Sequence, residues 1–289
     1  KYGCGQAVTD YHVVLDDPEI VAVSVCTPNN MHPVIAMDAL RAGKHVLCEK
    51  PAARTYAEAL EMQRVQHETG KTLNIGVVNR FNDSVNLIKQ YIDEGKLGEV
   101  YHVYVSFRAH RSIPGLGGAF TTKAIAGGGA LIDWGVHYLD IVMYCTGDPT
   151  PLTVSGKAFC KLGKDMQNYV YEGMWAENTK NLNGTYDVDD SVTGFIRTGG
   201  PTITLNGAWA ENIGPNECYI DFLGDKAASV CNTAGTSRFT VSKTVSCAMK
   251  HRSMKASICS KTRSTPSSAA SAPARSFPPI SIPSSSLPA

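Results

Sequence analysis

The stretch Val21-Ala22-Val23-Ser24-Val25-Cys26-Thr27-Pro28-Asn29 decides the fold prediction, because a valine-rich apolar run ends abruptly at a polar turn. A short, nearly continuous apolar run bounded by turn residues is typical of a strand buried on both faces of a parallel sheet. A helical pattern starts near Pro33 and ends at Gly43, which suits the left-handed position after a helix. A strand, a turn and a helix in this order predict a crossover unit.

The alternation of strands and helices continues toward residue 94. His45–Cys48 is predicted as a second strand, Thr55-Tyr56-Ala57-Glu58 is a capping box that opens a helix, and residues 73–78 and 85–94 form a further strand and helix. Such alternation predicts a doubly wound sheet, in which ligands bind at the carboxyl ends of the strands. The loops at those ends comprise residues 27–32, 49–51 and 79–81.

After residue 98 the sequence has the pattern of an open antiparallel sheet. Alternating apolar residues start at Tyr101. Strand-like runs follow at residues 152–161, 191–198, 202–209 and 218–223. Thr198-Gly199-Gly200 predicts a hairpin turn, and one clear helix follows the Gly127-Gly128-Gly129 run. The predicted fold class is α/β, with a partial parallel-sheet domain over residues 1–98 and an α+β domain with an open, mostly antiparallel sheet over residues 99–227.

Composition changes abruptly near Ala228. All 26 acidic residues precede that position, whereas residues 228–289 hold sixteen serines, eight lysines or arginines and a proline-rich end. One interpretation is a disordered basic tail. The other, which we favour, is a segment translated out of frame, in which case the coding DNA read one base over restores alternating strand patterns. Both interpretations predict little stable structure in residues 228–289.

Size, charge and cysteine usage exclude several classes of protein. A chain of 289 residues can hold two modest cores, and a net charge of +1 provides no general attraction to nucleic acid or membrane surfaces. No apolar run approaches the roughly 18 residues of a membrane span, and no signal-peptide pattern is present at Lys1. The nine cysteines form no Cys-x-x-Cys pair, which favours a reduced, cytoplasmic setting. No histidine has metal-ligand spacing, so no metal is predicted.

The helix after the glycine run carries a candidate acid–base pair. Asp133 and His137 are four residues apart, so their side chains are expected to be neighbours. A carboxylate beside an imidazole fixes its tautomer and suits general acid–base catalysis. An apolar stripe on another face is formed by Ile132, Val136, Leu139 and Met143. The alternative is a solvated helix face, and the pattern of this helix taken alone favours that alternative. The glycine run favours the acid–base interpretation somewhat, because it allows close approach of another backbone or of a ligand.

Lys50 follows the second strand directly, between Glu49 and Pro51. A lysine at the carboxyl edge of a parallel sheet can donate to a substrate oxygen, and burial can lower its pKa. The alternative is an ordinary surface lysine at the end of a strand. When the Glu-Lys-Pro sequence is considered by itself, this alternative is favoured. A cis bond at Pro51 would fix a sharp turn, although most such bonds are trans.

The loops after the first and third strands hold candidate nucleotide contacts. Thr27, Pro28, Asn29 and His32 offer hydroxyl, backbone and amide groups, although helix entry and capping explain them equally well. Arg80 can meet a phosphate or simply pair with an acidic side chain.

Three stretches in this order and spacing resemble the Gfo/Idh/MocA family, named after glucose–fructose oxidoreductase, inositol dehydrogenase and a rhizopine-catabolism protein. They are Val25-Cys26-Thr27-Pro28-Asn29-Asn30-Met31-His32, Ala42-Gly43-Lys44-His45-Val46-Leu47-Cys48-Glu49-Lys50-Pro51 and Gly127-Gly128-Gly129-Ala130-Leu131-Ile132-Asp133-Trp134-Gly135-Val136-His137. The resemblance runs from Lys1 to about Ala227. It implies a Rossmann domain that binds NAD or NADP, and a C-terminal domain whose open sheet makes homo-oligomer contacts.

The resemblance also implies roles for single residues. Lys50 matches the active-site lysine, Glu49 a cofactor-ribose contact, and Asp133 and His137 the acid–base residues. The loop that lies along the dinucleotide is matched by Thr27, Pro28, Asn29 and His32, and we add Arg80 as a cofactor contact. The implied reaction is hydride transfer from a secondary alcohol of a sugar or cyclitol, with His137 taking the hydroxyl proton, Asp133 holding His137 and Lys50 stabilising the alkoxide.

The sequence departs from the family pattern in its first part. The glycine-rich turn after a first strand and the ribose-binding acid about 20 positions later are absent, and Gly3-Cys4-Gly5 follows no strand. We expect a chain truncated by roughly two strand–helix units, about 60 residues, that binds cofactor poorly. Two alternatives stay open: an NAD-dependent glycoside hydrolase or lyase that oxidises its substrate transiently, and a non-catalytic fragment.

Overall fold

The N-terminal part of the chain forms three parallel strands joined by helices. The computed structural model describes residues 6–172, 179–232 and 236–241. The strands β1 (Ala22–Val25), β2 (His45–Cys48) and β3 (Leu73–Ile75) lie in this order, and both pairs are parallel. The carboxyl ends of all three strands therefore meet at one edge, as the crossover pattern predicts.

Four helices lie in this part of the chain. They are α1 (His12–Leu15), α2 (His32–Arg41), α3 (Tyr56–Thr69) and α4 (Asp83–Asp93). Helix α1 was not predicted, the other three begin and end close to the predicted positions, and α4 packs on the second sheet. At the start of α3 the Thr55 hydroxyl accepts the backbone N–H of Glu58, which confirms one half of the capping box. The Glu58 carboxylate accepts the backbone N–H of Arg54. Gly70 ends α3 in the left-handed conformation with φ of 63°.

One face of the three-stranded sheet is packed and the other is open. Helices α2 and α3 cover Val25, Val46 and Cys48, which are buried. The side chains that alternate with them point away from these helices, and Leu47 is 51% exposed. Within the described residues, β1 has a neighbouring strand on one side only.

The C-terminal part is a seven-stranded open sheet. Its strands are β4 (Val100–Arg108), β5 (Pro151–Phe159), β6 (Ser191–Thr198), β7 (Thr202–Ala208), β8 (Glu217–Gly224), β9 (Ala227–Asn232) and β10 (Thr236–Val241), in the order β10-β9-β8-β4-β7-β6-β5. Only the β4–β7 pair is parallel among these described strands. The predicted hairpin between β6 and β7 is confirmed.

Helix α4 and a later helix, α6 (Val136–Thr146), cover one face of this sheet, and the short helix α5 (Lys123–Ala126) precedes the glycine run. A π-helical turn, Leu131–Gly135, leads into α6. The predicted stripe of Ile132, Val136, Leu139 and Met143 lies only partly buried along a groove. A second apolar stripe faces the sheet instead: Tyr138, Ile141, Val142 and Cys145. Because α6 is apolar on two faces, the periodicity of the sequence does not predict which face packs against the sheet.

Strands β9 and β10 correct the expectation for residues 228–289. The turn at Gly224–Lys226 folds the chain back so that β9 pairs with β8 in antiparallel register, and β10 pairs with β9. Ala227 and Cys231 are buried in the same core as Phe222. Placing the end of the ordered domain at residue 227 was therefore wrong, because small side chains at a sheet margin need no strong apolar alternation. Residues 242–289, the rest of the expected tail, lie outside the described residues.

A shortened chain tests whether β9 belongs to the core. Ending the chain after Lys226 removes five strand pairs with β8 and the buried Cys231 side chain, so we expect a loss of about 3 kcal/mol or more in the free energy of unfolding. Thermal and urea unfolding measure this loss. A chain ended after Val241 is the control and should unfold like the whole chain; equal stability of both shortened chains would contradict the assignment.

Candidate active site

A buried histidine joins the loops that follow β1 and β2. His32 Nδ1 lies 2.7 Å from the carbonyl oxygen of Pro51, and His32 Nε2 lies 2.8 Å from the carbonyl oxygen of Thr27. The Lys50–Pro51 bond is cis. Both ring nitrogens of His32 are thus directed at the backbone. These two contacts give His32 a structural role, and because it also lines the cleft beside Lys50, its contact with the dinucleotide stays a prediction.

Lys50 reaches from the end of β2 to the π-helical turn of the C-terminal part. Its Nζ lies 2.6 Å from Asp133 Oδ1 and 2.8 Å from the Asp133 carbonyl oxygen, across 83 residues of sequence. Both side chains are largely buried. The alternative of an ordinary surface lysine is therefore wrong, and the two residues that the sequence placed far apart share one site.

The sequence did not indicate the second partner of Asp133. The indole Nε1 of Trp209 donates to Asp133 Oδ2 over 3.1 Å, and the Trp209 side chain is completely buried. Trp209 directly follows β7, and its pattern alone predicts sheet packing. No local signal marks it as a partner of Asp133, because the contact joins residues 76 positions apart.

His137 lies near Asp133 without a hydrogen bond between their side chains. Both carboxylate oxygens of Asp133 are taken by Lys50 and Trp209, and among the described residues the buried Nδ1 atom of His137 has no hydrogen-bond partner. The expectation that Asp133 holds His137 is therefore corrected. Burial, and then the positive charge of Lys50, lower the pKa of His137 below its usual 6.5, although Asp133 opposes this.

The glycine run serves the close approach of another backbone. A Cβ atom at Gly129 would lie 1.9 Å from the carbonyl oxygen of Asp189, so no larger residue fits there. The Asp189 carboxylate accepts the backbone N–H groups of Gly129 and Leu131, which caps the helical segment. Gly127 has φ of 87° and packs against Arg54. Of the two sequence-based alternatives, backbone approach is the one observed.

Arg80 pairs with an acid. Its guanidinium contacts the Asp140 carboxylate through Nε at 2.9 Å and Nη2 at 2.6 Å, and it lies over the Tyr144 ring. These contacts use Nε–H and one N–H of Nη2, so the ion pair that the sequence offered as the alternative is observed, and the cofactor contact at Arg80 stays a prediction.

A cleft of about 200 Å³ opens beside the Lys50–Asp133 pair. Its lining includes Thr27, Asn29, Glu49, Lys50, Phe120 and Asp133. The amide of Asn29 donates to the carbonyl oxygen of Ala126, and Glu49 is exposed. These polar groups stand at the carboxyl ends of β1 and β2, where doubly wound folds bind nucleotides, so their chemistry fits a dinucleotide.

The part of the chain that the structure describes also bears on metal ions and on membranes. No group of three or more His, Cys, Asp or Glu side chains in that part of the chain is arranged to hold a metal ion. No described helix is long and apolar enough to cross a membrane.

Comparison with protein families places both parts of the chain. Residues 1–77 match the oxidoreductase family with the NAD-binding Rossmann fold, and residues 85–236 match the GFO/IDH/MocA C-terminal domain. The two matches follow each other as the two domains of an oxidoreductase family do. The chain belongs to the Gfo/Idh/MocA family. The second match continues to residue 236, past the expected end of the resemblance at Ala227.

Named relatives are dehydrogenases of sugars. D-glucoside 3-dehydrogenase of Escherichia coli is 35% identical over 231 residues, which cover 79% of this chain and 64% of the relative. Levoglucosan dehydrogenase of Pseudarthrobacter phenanthrenivorans is 34% identical over 215 residues, covering 68% and 51%. A solved levoglucosan dehydrogenase in complex with NADH and levoglucosan has a TM-score of 0.67 at 26% identity, covering 81% and 60%. The chain thus spans between 51% and 64% of the length of these relatives.

The charge of Lys50 gives a test of this geometry. Replacing Lys50→Met removes the positive charge that lowers the pKa of His137 and leaves the Asp133 carboxylate without its counter-ion. Both changes favour the protonated imidazole, so the pKa of His137 should rise. Titration of the imidazole C–H signals by NMR measures it. Lys157→Met, on the exposed strand β5, is the matched control, and an unchanged His137 pKa in Lys50→Met would contradict the arrangement.

Proposed function

We propose that this chain carries the catalytic site of a dehydrogenase that oxidises a secondary alcohol of a sugar or cyclitol with NAD or NADP. The observation that carries the proposal is the Lys50–Asp133 pair at the carboxyl end of β2, in the cleft that Thr27, Asn29 and Glu49 also line. The names of the relatives support the substrate class, because two of them act on D-glucosides or levoglucosan.

Lys50 is proposed to hold the substrate hydroxyl oxygen. An ammonium has three donors, and Asp133 takes two of them through its carboxylate and its carbonyl oxygen. The third remains for an oxygen in the cleft. As the hydroxyl loses its proton, the fixed positive charge stabilises the developing alkoxide, an effect of about 3 kcal/mol for a preorganised donor.

His137 is proposed to accept the hydroxyl proton. A base must be unprotonated at the working pH, and the lowered pKa of His137 keeps the imidazole neutral near pH 7. Asp133 contributes by holding Lys50, a different role from the one that the resemblance implies. The rate of alcohol oxidation should therefore fall as the pH drops below the pKa of His137.

Thr27, Pro28, Asn29 and Glu49 are proposed to hold the dinucleotide at the strand ends. A nicotinamide cofactor supplies the hydride acceptor when bound. Binding is expected to be weak, because the sequence holds no glycine-rich turn that could cradle the pyrophosphate at a helix N-terminus.

Turnover with D-glucosides, levoglucosan and inositols tests the proposal, after calorimetric titration of the chain with NADH and NADPH. Binding weaker than micromolar is expected, so rates should rise with cofactor concentration without saturating. Lys50→Met and His137→Gln should each lower the rate by about 100-fold or more with the fold intact. Near-normal rates in both variants would overturn the assignment. Release of an aglycone without net reduced cofactor would favour the hydrolase alternative.

We also propose that a second copy of the chain covers the open sheet face. Asp221, Tyr104, Thr204, Phe195 and Ser155 stand side by side in register across five strands, on the face opposite the helices. Tyr104 and Phe195 are 45% and 41% exposed, unusual for large aromatic side chains on a broad sheet.

Replacing both aromatic residues tests the oligomer. The double variant Tyr104→Glu, Phe195→Glu places charges in the buried centre of such an interface, so the mass in sedimentation or light scattering should fall to that of a monomer. Tyr56→Glu and Leu60→Glu, at exposed positions of helix α3 away from this sheet, are controls for general charge effects. A chain that is already monomeric, or a double variant that keeps its oligomer, would contradict the proposal.

A further inference from the structure

We infer that Trp209 is a positioning residue: its indole N–H holds the Asp133 carboxylate so that one oxygen serves Lys50 and neither serves His137. The inference rests on the proposed function, in which Lys50 and His137 meet the substrate hydroxyl. It adds a residue from a third element, the end of β7, to a site otherwise built from β2 and the segment leading into α6.

Trp209 is suited to this task because it is held rigidly. Its backbone N–H donates to the carbonyl oxygen of Asp190 at 2.9 Å, and its carbonyl oxygen accepts the N–H of Ser112 at 2.8 Å. The ring is enclosed by the cluster of Ile113, Leu116, Ala130, Tyr169, Val188 and Ala210. An indole N–H can only donate, so the direction of the contact with Asp133 is fixed.

The Asp133 carboxylate could in principle be oriented either toward Lys50 or toward His137. His137 lies one helical turn further along, and a carboxylate rotated toward its ring would stabilise the protonated imidazole. The Trp209 N–H at 3.1 Å and the Lys50 ammonium at 2.6 Å take one oxygen each. Trp209 thereby keeps the carboxylate on Lys50 and leaves His137 as a neutral base. The other charged groups that act on His137 are Asp140 and Glu49.

The variant Trp209→Phe removes the N–H and keeps an aromatic ring. We expect kcat for sugar oxidation to fall about 10-fold or more while KM for the sugar changes less than about 2-fold, because alignment rather than binding is lost. The freed carboxylate oxygen should raise the pKa of His137, and the acid limb of the pH–rate profile should move upward with it. A purely structural tryptophan would not move the His137 titration.

The matched control is Trp134→Phe, the same change at the residue next to Asp133. For Trp134 no indole hydrogen bond is found within the described part of the chain. The His137 pKa should stay unchanged in this control. If Trp209→Phe leaves the His137 pKa and kcat unchanged, or lowers the pKa, the inference is overturned.

A second measurement covers the case in which Trp209→Phe does not fold. The chain has three tryptophans, so the whole protein shows three indole N–H signals, which Trp134→Phe and Trp175→Phe assign by elimination. In Asp133→Asn the Trp209 signal should shift most, because it loses a charged acceptor. An unmoved Trp209 signal refutes the contact.

The outcomes separate the inference from the proposed function. The NMR measurements need neither cofactor nor turnover. Normal rates in Lys50→Met and His137→Gln would remove the proposed function even if the Trp209 contact is found. Lost rates in those variants together with an unaffected Trp209→Phe would remove only the inference.

Discussion

The Lys50–Asp133 contact is the interaction on which the site depends, because it joins the end of a parallel strand to a helical turn of the second domain. Both side chains are largely withdrawn from water, so each charge is stabilised mainly by the other. Removing one partner of such a pair typically costs about 3–5 kcal/mol, since the remaining charge stays buried. The relative position of the two domains at the cleft is thereby coupled to the electrostatics of the site.

That coupling explains why the neighbouring histidine can act as a base. An isolated buried carboxylate beside His137 would favour the imidazolium, whereas a carboxylate already neutralised by an ammonium exerts a weaker pull. Burial and the Lys50 charge together outweigh the acidic groups nearby, so the pKa of His137 is lowered. The pairing of Lys50 with Asp133 therefore adds to burial, the larger cause, in lowering the pKa of a third residue.

Much of the fold followed from patterns that are local in sequence. Strand β6 was predicted with the observed bounds, and the Thr55 cap was recognised because its signal spans only four residues. The side of a helix that faces the core was not predicted, since α6 is apolar on two faces. The strands after residue 226 were missed because small residues at a sheet edge lack strong alternation. Local sequence patterns therefore predict well whether a segment is a helix or a strand. They predict poorly which face of that segment packs against the core.

The site shows the same division between local and distant information. Lys50, Asp133 and His137 could be named from their spacing and from the family resemblance, but their partners could not. Trp209, Pro51 and Asp140 each bind a candidate residue from a distant part of the chain, and these contacts use polar atoms of Asp133, His32 and Arg80.

A residue type at a fixed position limits which chemistry is available, whereas its role depends on which donors and acceptors already use its polar atoms. Arg80 illustrates this: a guanidinium at a strand end can bind a phosphate, but Asp140 already uses the Nε and Nη2 groups of this one. His137 is the converse case, because it has a buried nitrogen, Nδ1, that no described residue uses. Assigning function from sequence therefore requires the hydrogen-bond inventory of the folded chain, because it distinguishes groups committed to structure from those still able to meet a substrate.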